Sequence, residues 1–436
     1  MSSYNSGQVK FGTPGSNVVD NIQMGTRRLY DFSDRVADLA PEESPFFVYL
    51  SKVGKVPTSD SQFRFLEDRT KIAMTDRSFV ISTDLAAVSV GAEVTATLSS
   101  AQPWLIKGMV ISVESNTGNS GAPNHANARI EQVNSDTSIN IKWLTNPGSD
   151  ADPAASAKAT VIGTSFGEGT GAPDVFSQEL DNDYGFTQIF KTACEMSNTA
   201  RATVYRGYAS EWDRIWNLKL REHKIDIERA MLFGMRGSQG GIQYTEGIVG
   251  HILQNGGTPA NGVIGDYESG LPYLATYAQS ELTYDGLLTA FETMYDPARG
   301  GSSSKLCLAS LPVVSHFNKI SGFAEGSLSS NLSQYNFEAS KGTFGHKVMK
   351  IETVHGDCSI IKEPLFRNNA SGHMCFVDLD HVSYRPLVGN GVNRDTSITT
   401  NVQQADEDLR KDLILTEAGL EVSLPETHAL INVEGL

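Results

Sequence analysis

The stretch ARATVYRGYASEWDRIWNLKLREHKIDIERAMLFGM, residues 200–235, decides the fold because its apolar side chains recur at helical spacing. The recurring positions are Val204, Tyr208, Trp212, Ile215, Ile225 and Met231. At ~1.5 Å per residue the pattern predicts a rod of about 50 Å, longer than most helices of globular proteins. Gly234 and the turn GSQGG stop the pattern. We therefore expect one long spine helix around which the rest of the chain is built.

Two segments that precede this helix alternate as β-strands do. In SQFRFLEDRT, Phe63 and Phe65 share one face, and in DYGFTQIFKTACEMSN, Phe186 and Phe190 share one face. We expect the two segments to pair as the arms of a long hairpin, with the intervening chain at its tip.

The chain at that tip, about residues 84–172, predicts a separate β domain. Its short β-type runs are VTATLSS, GMVISVES, ARIEQVN, SINIKWL and KATVIGTS, and Gly, Pro and Asn turns separate them. Short strands at close, regular spacing are typical of a small barrel or sandwich.

The remaining chain divides into an arm and a mixed domain. Residues 1–28 have little periodicity and many Gly, Ser and Asn residues, which indicates an extended arm that a neighbour must order. The apolar cluster at 46–50 needs burial. After the spine, TYDGLLTAFETMYDPARGG predicts a helix over 284–295, and apolar runs beyond residue 305 predict an α+β domain with a central sheet.

The overall composition argues against a phosphate-binding, membrane-spanning or secreted protein. A chain of 436 residues is long enough for more than one core. Its 51 acidic and 35 basic residues give a net charge of -16, which disfavours non-specific binding to phosphates. No run approaches the ~18 apolar residues of a membrane span, and the polar start does not resemble a secretory signal. Four scattered cysteines, Cys194, Cys307, Cys358 and Cys375, indicate free thiols in a cytoplasmic setting.

One string resembles the nucleophile elbow of a hydrolase. Residues 163–167, GTSFG, match the pattern and follow a plausible strand. A true elbow leads into a helix, however, and the next residues, EGTGAPDVF, do not favour one. A glycine-rich turn is the preferred interpretation of Ser165, and a serine hydrolase is the alternative from a different class.

A second set of residues has types that suit zinc. His355 lies near Cys358, and His373 lies near Cys375. The spacing C-x2-C is absent and Cys375 lies in an apolar run. We therefore expect no catalytic residue, no metal and no cofactor.

The pair Trp212 and Trp216, one helical turn apart, suggests either base stacking or packing. Acidic residues at 211, 213 and 222 sit among the aromatic residues. Helix packing and contact with another chain are therefore the preferred roles.

Taken in order, these elements resemble the major capsid proteins of tailed phages with the Hong Kong 97-type fold, most closely a podovirus-like branch. The segments that carry the resemblance are LAPEESPFFVYLSKVGK, FRFLEDR, YGFTQIFKTACEMSNTARAT, LCLASLPVVSHFNKI and YRPL, and they extend nearly from end to end. The resemblance implies an α+β fold with a long spine helix, an E-loop hairpin and an inserted small β-barrel or sandwich domain. The acidic composition suits a container that does not grip its nucleic acid.

The resemblance also implies a division of the chain. The expected parts are an N-terminal arm and the segment after it, 1–60; E-loop hairpin arms, 61–83 and 173–198; an inserted β domain, 84–172; a peripheral domain with the spine helix, 199–304; an axial domain, 305–400; and a return to the peripheral domain, 401–436.

The implied function is self-assembly as pentamers and hexamers into the icosahedral head that encloses double-stranded DNA. Because a long hairpin and an arm are marginal alone, both must lie on a neighbouring subunit. The expected interface residues are Phe63, Phe65, Phe186, Phe190, Trp212 and Trp216. An encapsulin-like shell for cargo enzymes is the alternative with the same fold. The implied location is the virion, after assembly in the host cytoplasm.

Two departures from the family pattern shape the expected partners. Only a short arm precedes the family-like elements, which favours a separate scaffolding protein beside a portal and a possible decoration protein. Some members form Lys–Asn crosslinks, but Lys71 near the E-loop has no evident acceptor. We therefore expect no covalent crosslinking, no membrane partner and no sequence-specific DNA binding.

Overall fold

The computed structural model describes residues 46–47, 50, 55–68, 77–85, 89–115, 124–145, 157–175, 179–205, 208–255, 272–299, 301–317, 337–341 and 347–435. The predicted arm at 1–28 and Lys71 lie outside these residues. The helices within them are α1 Asn198–Ala202, α2 Glu211–Phe233, α3 Ile248–Asn255 and α4 Tyr284–Met294, and residues 311–317 are also helical.

The strands follow in chain order. The first eleven are β1 Gln62–Glu67, β2 Ser78–Ile81, β3 Glu93–Thr97, β4 Met109–Ser115, β5 Asn124–Ser135, β6 Ser138–Trp143, β7 Ala157–Thr164, β8 Asp181–Phe186, β9 Gln188–Ser197, β10 Gly237–Gln239 and β11 Ile242–Tyr244. The others are β12 Tyr273–Ala278, β13 Ser304–Ala309, β14 Phe337–Lys341, β15 Lys347–Glu352, β16 Asp357–Lys362, β17 His373–Val377, β18 Val382–Pro386, β19 Val388–Gly389, β20 Val392–Asn393, β21 Ser397–Thr399, β22 Leu409–Val422 and β23 Ala429–Glu434.

The spine helix is shorter than the sequence pattern predicts. The helical stretch is divided into α1 and the 23 residues of α2, because Ser210 has extended backbone and its side chain accepts a hydrogen bond from the Asp213 amide. Glu211 and Asp213 in the first turn favour the same start through the helix dipole. At ~1.5 Å per residue α2 is about 35 Å long.

A seven-stranded mixed sheet forms the centre of the main body, in the order β12-β23-β17-β13-β16-β15-β14. Alternate residues of its central strands point into two different cores: Leu306 and Leu308 into one, Cys307 and Ala309 into the other. Both faces of β13 are therefore buried, which explains its continuous apolar sequence.

Helices cover the two faces of this sheet. The first core packs α2 and α3 against it through Ile227, Met231, Ile248 and Ile252. The second core packs α4 and the helical residues 311–317 through Leu287, Phe291, Val313 and Phe317.

A second sheet is built around β22, which pairs with β18, β21 and β9. The predicted hairpin is therefore shorter than expected. Only β8 pairs with β1, from Gln62 opposite Phe186 to Glu67 opposite Asp181. The second half of the predicted arm, β9, pairs along its length with β22 instead. Long-range pairing with the C-terminal strand takes the place of local hairpin pairing.

The inserted domain is a closed six-stranded barrel. Its strand order is β2-β7-β4-β5-β6-β3, and an antiparallel bridge between Ile81 and Leu98 joins the two outer strands. The amide of Ser82 donates to Thr97 O at 2.8 Å, and that of Ser99 donates to Val80 O at 2.9 Å. The apolar interior includes Phe79, Ile81, Ile111, Ile130, Ile139, Ile141 and Trp143.

The structure confirms the predicted fold class: a mixed α+β protein with a spine helix, a hairpin and an inserted β-barrel. Two predicted boundaries differ. Residues 78–81 belong to the barrel and not to the hairpin arm, because Phe79 and Ile81 fill its core. The elements β12, α4 and β23 belong with the sheet of the predicted axial domain, because β12 pairs with β23 in parallel and α4 covers that sheet.

Candidate assembly surfaces

The hairpin β1–β8 has a covered face and an open face. On the covered face, Phe63 is 5% exposed and its ring lies against Gly185 and Gly419. A Cβ added at Gly185 would lie 2.5 Å from the Phe63 ring, so glycine makes room for this packing. The Arg385 guanidinium lies over the same ring at 5.6 Å. Phe63 is thus packed by contacts within its own chain, and its interface role stays a prediction.

The open face of the hairpin presents apolar side chains to solvent. Leu66 is 65% exposed and Tyr184 is 39% exposed. The Tyr184 and Phe186 rings meet edge to face at 5.6 Å, and the Arg236 guanidinium lies 4.3 Å from the centre of the Tyr184 ring. Arg236 also pairs with Asp183 at 2.6 Å, so it fixes the hairpin to the chain that follows α2.

Of the other predicted interface residues, one is internal and four are half-buried. Phe190 is 8% exposed and belongs to the first core, because β9 turns this side chain toward α2; its interface role also stays a prediction. Phe65, Trp212 and Trp216 are half-buried, as is Phe186. They keep surface that a neighbouring chain can cover.

Trp212 sits at the junction of α1, α2 and β22. The Arg410 guanidinium lies 4.7 Å from its ring centre and that of Arg201 lies at 6.0 Å. Arg410 in turn pairs with the buried Asp412 at 2.9 Å. Cation–π contacts of this kind hold the indole in place and leave its remaining edge available.

Several charged residues of α2 form ion pairs within the helix. Three pairs lie three residues apart on the helix: Glu211 with Arg214, Lys219 with Glu222 at 2.6 Å, and Asp226 with Arg229 at 3.3 Å. Such exposed pairs contribute little stability. Their consequence is that three of the basic residues on this helix each have a carboxylate beside them.

A buried histidine, which sequence reasoning missed, joins α2 to the second sheet. His223 is 2% exposed; its Nδ1 lies 2.9 Å from Thr192 Oγ1 on β9, and its Nε2 lies 2.9 Å from Thr416 Oγ1 on β22. Burial lowers the pKa of His223, so the ring is neutral at physiological pH. Only the distant pairing of β9 with β22 brings these hydroxyls together.

A buried ion pair joins the seven-stranded sheet to the turn before β23. Lys305 Nζ donates to Thr427 O at 2.7 Å and lies 3.8 Å from Asp378 Oδ2. Asp378 is fully buried and also accepts from the Ser302 amide at 2.7 Å and the Asp380 amide at 3.1 Å. These contacts satisfy the carboxylate, as a buried charge requires.

The two enzyme-like sets are not assembled into sites. Ser165 is exposed, its amide donates to Gly108 O at 2.9 Å, and the chain then enters a turn at Gly167–Thr170 and no helix. Cys358 points into the second core and Cys375 into the first, on opposite faces of the sheet. Within the described ranges, no group of three or more His, Cys, Asp or Glu residues is placed to hold a metal ion.

None of the helices in the described part of the chain is long and apolar enough to cross a membrane.

Comparison with known proteins shows that this chain is similar to phage major capsid proteins. The family model described as SU10 major capsid protein matches residues 7–435. A curated relative, the major capsid protein of Pseudomonas phage PaMx41, is 30% identical over 182 residues, and the match spans 41% of each chain.

Solved structures give more distant likenesses. A chain of Microbacterium phage Oxtober96 is 9% identical with a TM-score of 0.45, over 95% of this chain and 99% of that one. The capsid of Cyanophage P-SCSP1u is 10% identical with a TM-score of 0.44, over 94% of this chain and 93% of that one. Because these identities and TM-scores are low, the family of this chain is shown by the family model and not by the solved structures.

Proposed function

The chain belongs to the SU10 major capsid protein family, and from this premise we propose that it is the subunit from which an icosahedral phage head is built. The observation that carries the proposal is the match over residues 7–435, which includes the spine helix, the hairpin, the barrel and both main cores. The subunit self-assembles as pentamers and hexamers and encloses the double-stranded DNA genome. It is a structural component of the virion, and assembly takes place in the host cytoplasm.

The open hairpin face supports assembly. A two-stranded ribbon has little stability of its own, and the exposed Leu66 and Tyr184 add apolar surface that water does not favour. A neighbouring subunit covers this face in the proposed shell. Of the expected interface residues, Phe65, Phe186, Trp212 and Trp216 keep the most surface for this contact, whereas Phe63 and Phe190 are mostly packed within their own chain.

The charge distribution supports enclosure of DNA without sequence-specific binding. The chain carries a net charge of -16, and the basic residues Arg214, Lys219 and Arg229 of the spine are each paired with a carboxylate. Paired cations release few counterions, so they add little affinity for phosphates.

The partners follow from the same function. We propose a separate scaffolding protein and a portal, and a decoration protein or neighbouring capsomer as the contact of the barrel. The barrel has its own closed core, so it can project from the shell without support from the main body.

Electron microscopy and sedimentation of the purified protein, expressed with and without a candidate scaffolding protein, test the proposal. Closed icosahedral shells or capsomer rings are the expected result. A compact monomer under every condition, at concentrations where related shells form, would overturn it.

A further inference from the structure

Two buried carboxyl groups meet where α2, the end of β16 and the segment at Phe46 come together. Glu228 on α2 and Glu363 after β16 are each 1% exposed. Glu228 Oε1 accepts a hydrogen bond from the Phe46 amide at 2.8 Å, and Glu363 Oε1 accepts one from the Leu365 amide at 3.1 Å. Apart from the other carboxyl of the pair, the second oxygen of each carboxyl has no hydrogen-bond partner among the described residues.

The Phe46 amide matters because Phe46 is a helical residue that is anchored in the first core. Phe46 and Leu50 are both fully buried there, together with Ile227 and Met231 of α2. Glu228 therefore connects this anchor directly to the spine helix.

No cation offsets the two carboxyls among the groups that act on them. On α2, Arg229 pairs with Asp226 and Lys224 is exposed; after β16, Arg367 donates to Pro364 O and Lys362 is half-buried. On α3, His251 lies 3.0 Å from Glu246. The charge that acts on Glu228 is that of Glu363, and backbone hydrogen bonds from Phe46 and Phe47 oppose its effect.

Burial, and for Glu228 the neighbouring Glu363, raise the pKa of both carboxyls, that of Glu228 to about 9 and that of Glu363 to about 7. An unfolded or released glutamate ionises near its ordinary pKa of 4.5. The two carboxyls therefore bind protons more tightly when they are buried beside Phe46 than when they are exposed to water. The stability that this proton binding gives to the buried arrangement is fully present below about pH 4.5 and is lost as the pH rises through 7 towards 9.

We propose that Glu228 and Glu363 form a proton-dependent latch that holds Phe46 against the spine helix. A proton retained by the pair lets two carboxyls share one buried site. Loss of that proton leaves two negative charges facing each other in a medium of low polarity, and the Phe46 segment separates from α2. The latch is a property of the subunit and does not depend on the proposed function.

Hydrogen exchange of the full chain, measured by mass spectrometry on peptides that contain Phe46, tests the latch. After correction for the intrinsic pH dependence of exchange, we expect protection to fall about tenfold or more between about pH 6 and pH 9. In the double variant Glu228→Gln with Glu363→Gln, which keeps the shapes and removes the titration, we expect a change of less than about twofold. Glu222→Gln, an exposed carboxyl on the same helix, is the matched control and keeps the wild-type response.

Flat protection in the wild type, or an unchanged pH response in the double variant, overturns the proposal. If the double variant does not fold, infrared difference spectroscopy of the wild type replaces it. The expected signal is a protonated carboxyl band that is present at neutral pH and disappears over the same pH rise. Absence of that band at neutral pH overturns the proposal as well.

Discussion

Ile81 and Leu98 form the antiparallel bridge that closes the inserted domain into a barrel. The bridge joins β2, which arrives from the hairpin, to the residue after β3, so no strand edge of the six is left open at this seam.

The closed barrel predicts how the insert can be removed. Replacing residues 77–166 with a short Gly–Ser linker should leave the main-body melting temperature nearly unchanged, while shells become less stable. Replacing only 84–172 keeps β2 and exposes Phe79 and Ile81, so that variant should aggregate. Circular dichroism melts and electron microscopy distinguish the two. Unfolding of the whole subunit by the first deletion would show that the barrel is not independent.

Gly185 predicts a steric effect at the hairpin. Gly185→Ala places a Cβ 2.5 Å from the Phe63 ring and should lower the free energy of unfolding by about 1–3 kcal/mol. Gly163→Ala, where the added Cβ meets nothing within 4 Å, is the control and should be close to neutral. Denaturant titration measures both, and equal effects of the two variants would contradict the packing argument.

The two faces of β1 predict opposite consequences of truncation. Phe63→Ala should cost about 3–5 kcal/mol of subunit stability because it empties a buried site. Leu66→Ser should change subunit stability by less than about 0.5 kcal/mol, since the side chain is 65% exposed, but should reduce the yield of shells. Stability is read from denaturation and assembly from sedimentation. Normal assembly of Leu66→Ser would remove the open face from the interface.

His223 predicts a loss of stability in acid. Its pKa is lowered in the folded state, so its contribution is present above the ordinary value of 6.5 and is lost as the pH falls below it. His223→Gln should lower stability by about 1–3 kcal/mol at neutral pH and should flatten the decline between about pH 6.5 and pH 5. His428, whose pKa burial also lowers, keeps part of that decline. An unchanged slope in thermal melts would show that His223 does not titrate with unfolding.

Asp378 predicts the cost of breaking the buried ion pair. Asp378→Ala should lower the free energy of unfolding by about 3–5 kcal/mol, because it leaves Lys305 buried without its counter-charge. Asp380→Ala, an exposed carboxylate two residues away, should change it by less than about 0.5 kcal/mol. Comparable losses in the two variants would argue against a special role for the pair.

Local patterns in the sequence predicted the parts of the fold that local physics controls. Alternation around Phe63 located β1, turn residues located the strands of the barrel, and helical spacing located α2. The sequence predicts too early a start for the spine helix, because the periodic apolar residues include Val204 and Tyr208. In the structure Ser210 is the N-cap, and α2 begins at the next residue.

Long-range pairing explains what the sequence did not reveal. Nothing near Phe190 indicates that its strand pairs with residues 409–418 and not with β1. The contacts of His223 and the meeting of Glu228 with Glu363 join positions far apart in the chain. In the sequence, each of these polar residues cannot be told from an ordinary surface residue, because its partner is distant in the chain. The burial of Phe63 and Phe190 within their own chain depends on long-range contacts of the same kind.

The position of β22 and β23 has a consequence for synthesis. Protein chains leave the ribosome from the N-terminus, so residues 409–434 emerge after every other described strand. Yet β22 lies between β9 and the strands β18 and β21, and β23 lies between β12 and β17. A chain terminated before Leu409 lacks an inner strand of both sheets. We therefore expect truncated products not to fold, and so not to enter the proposed shell.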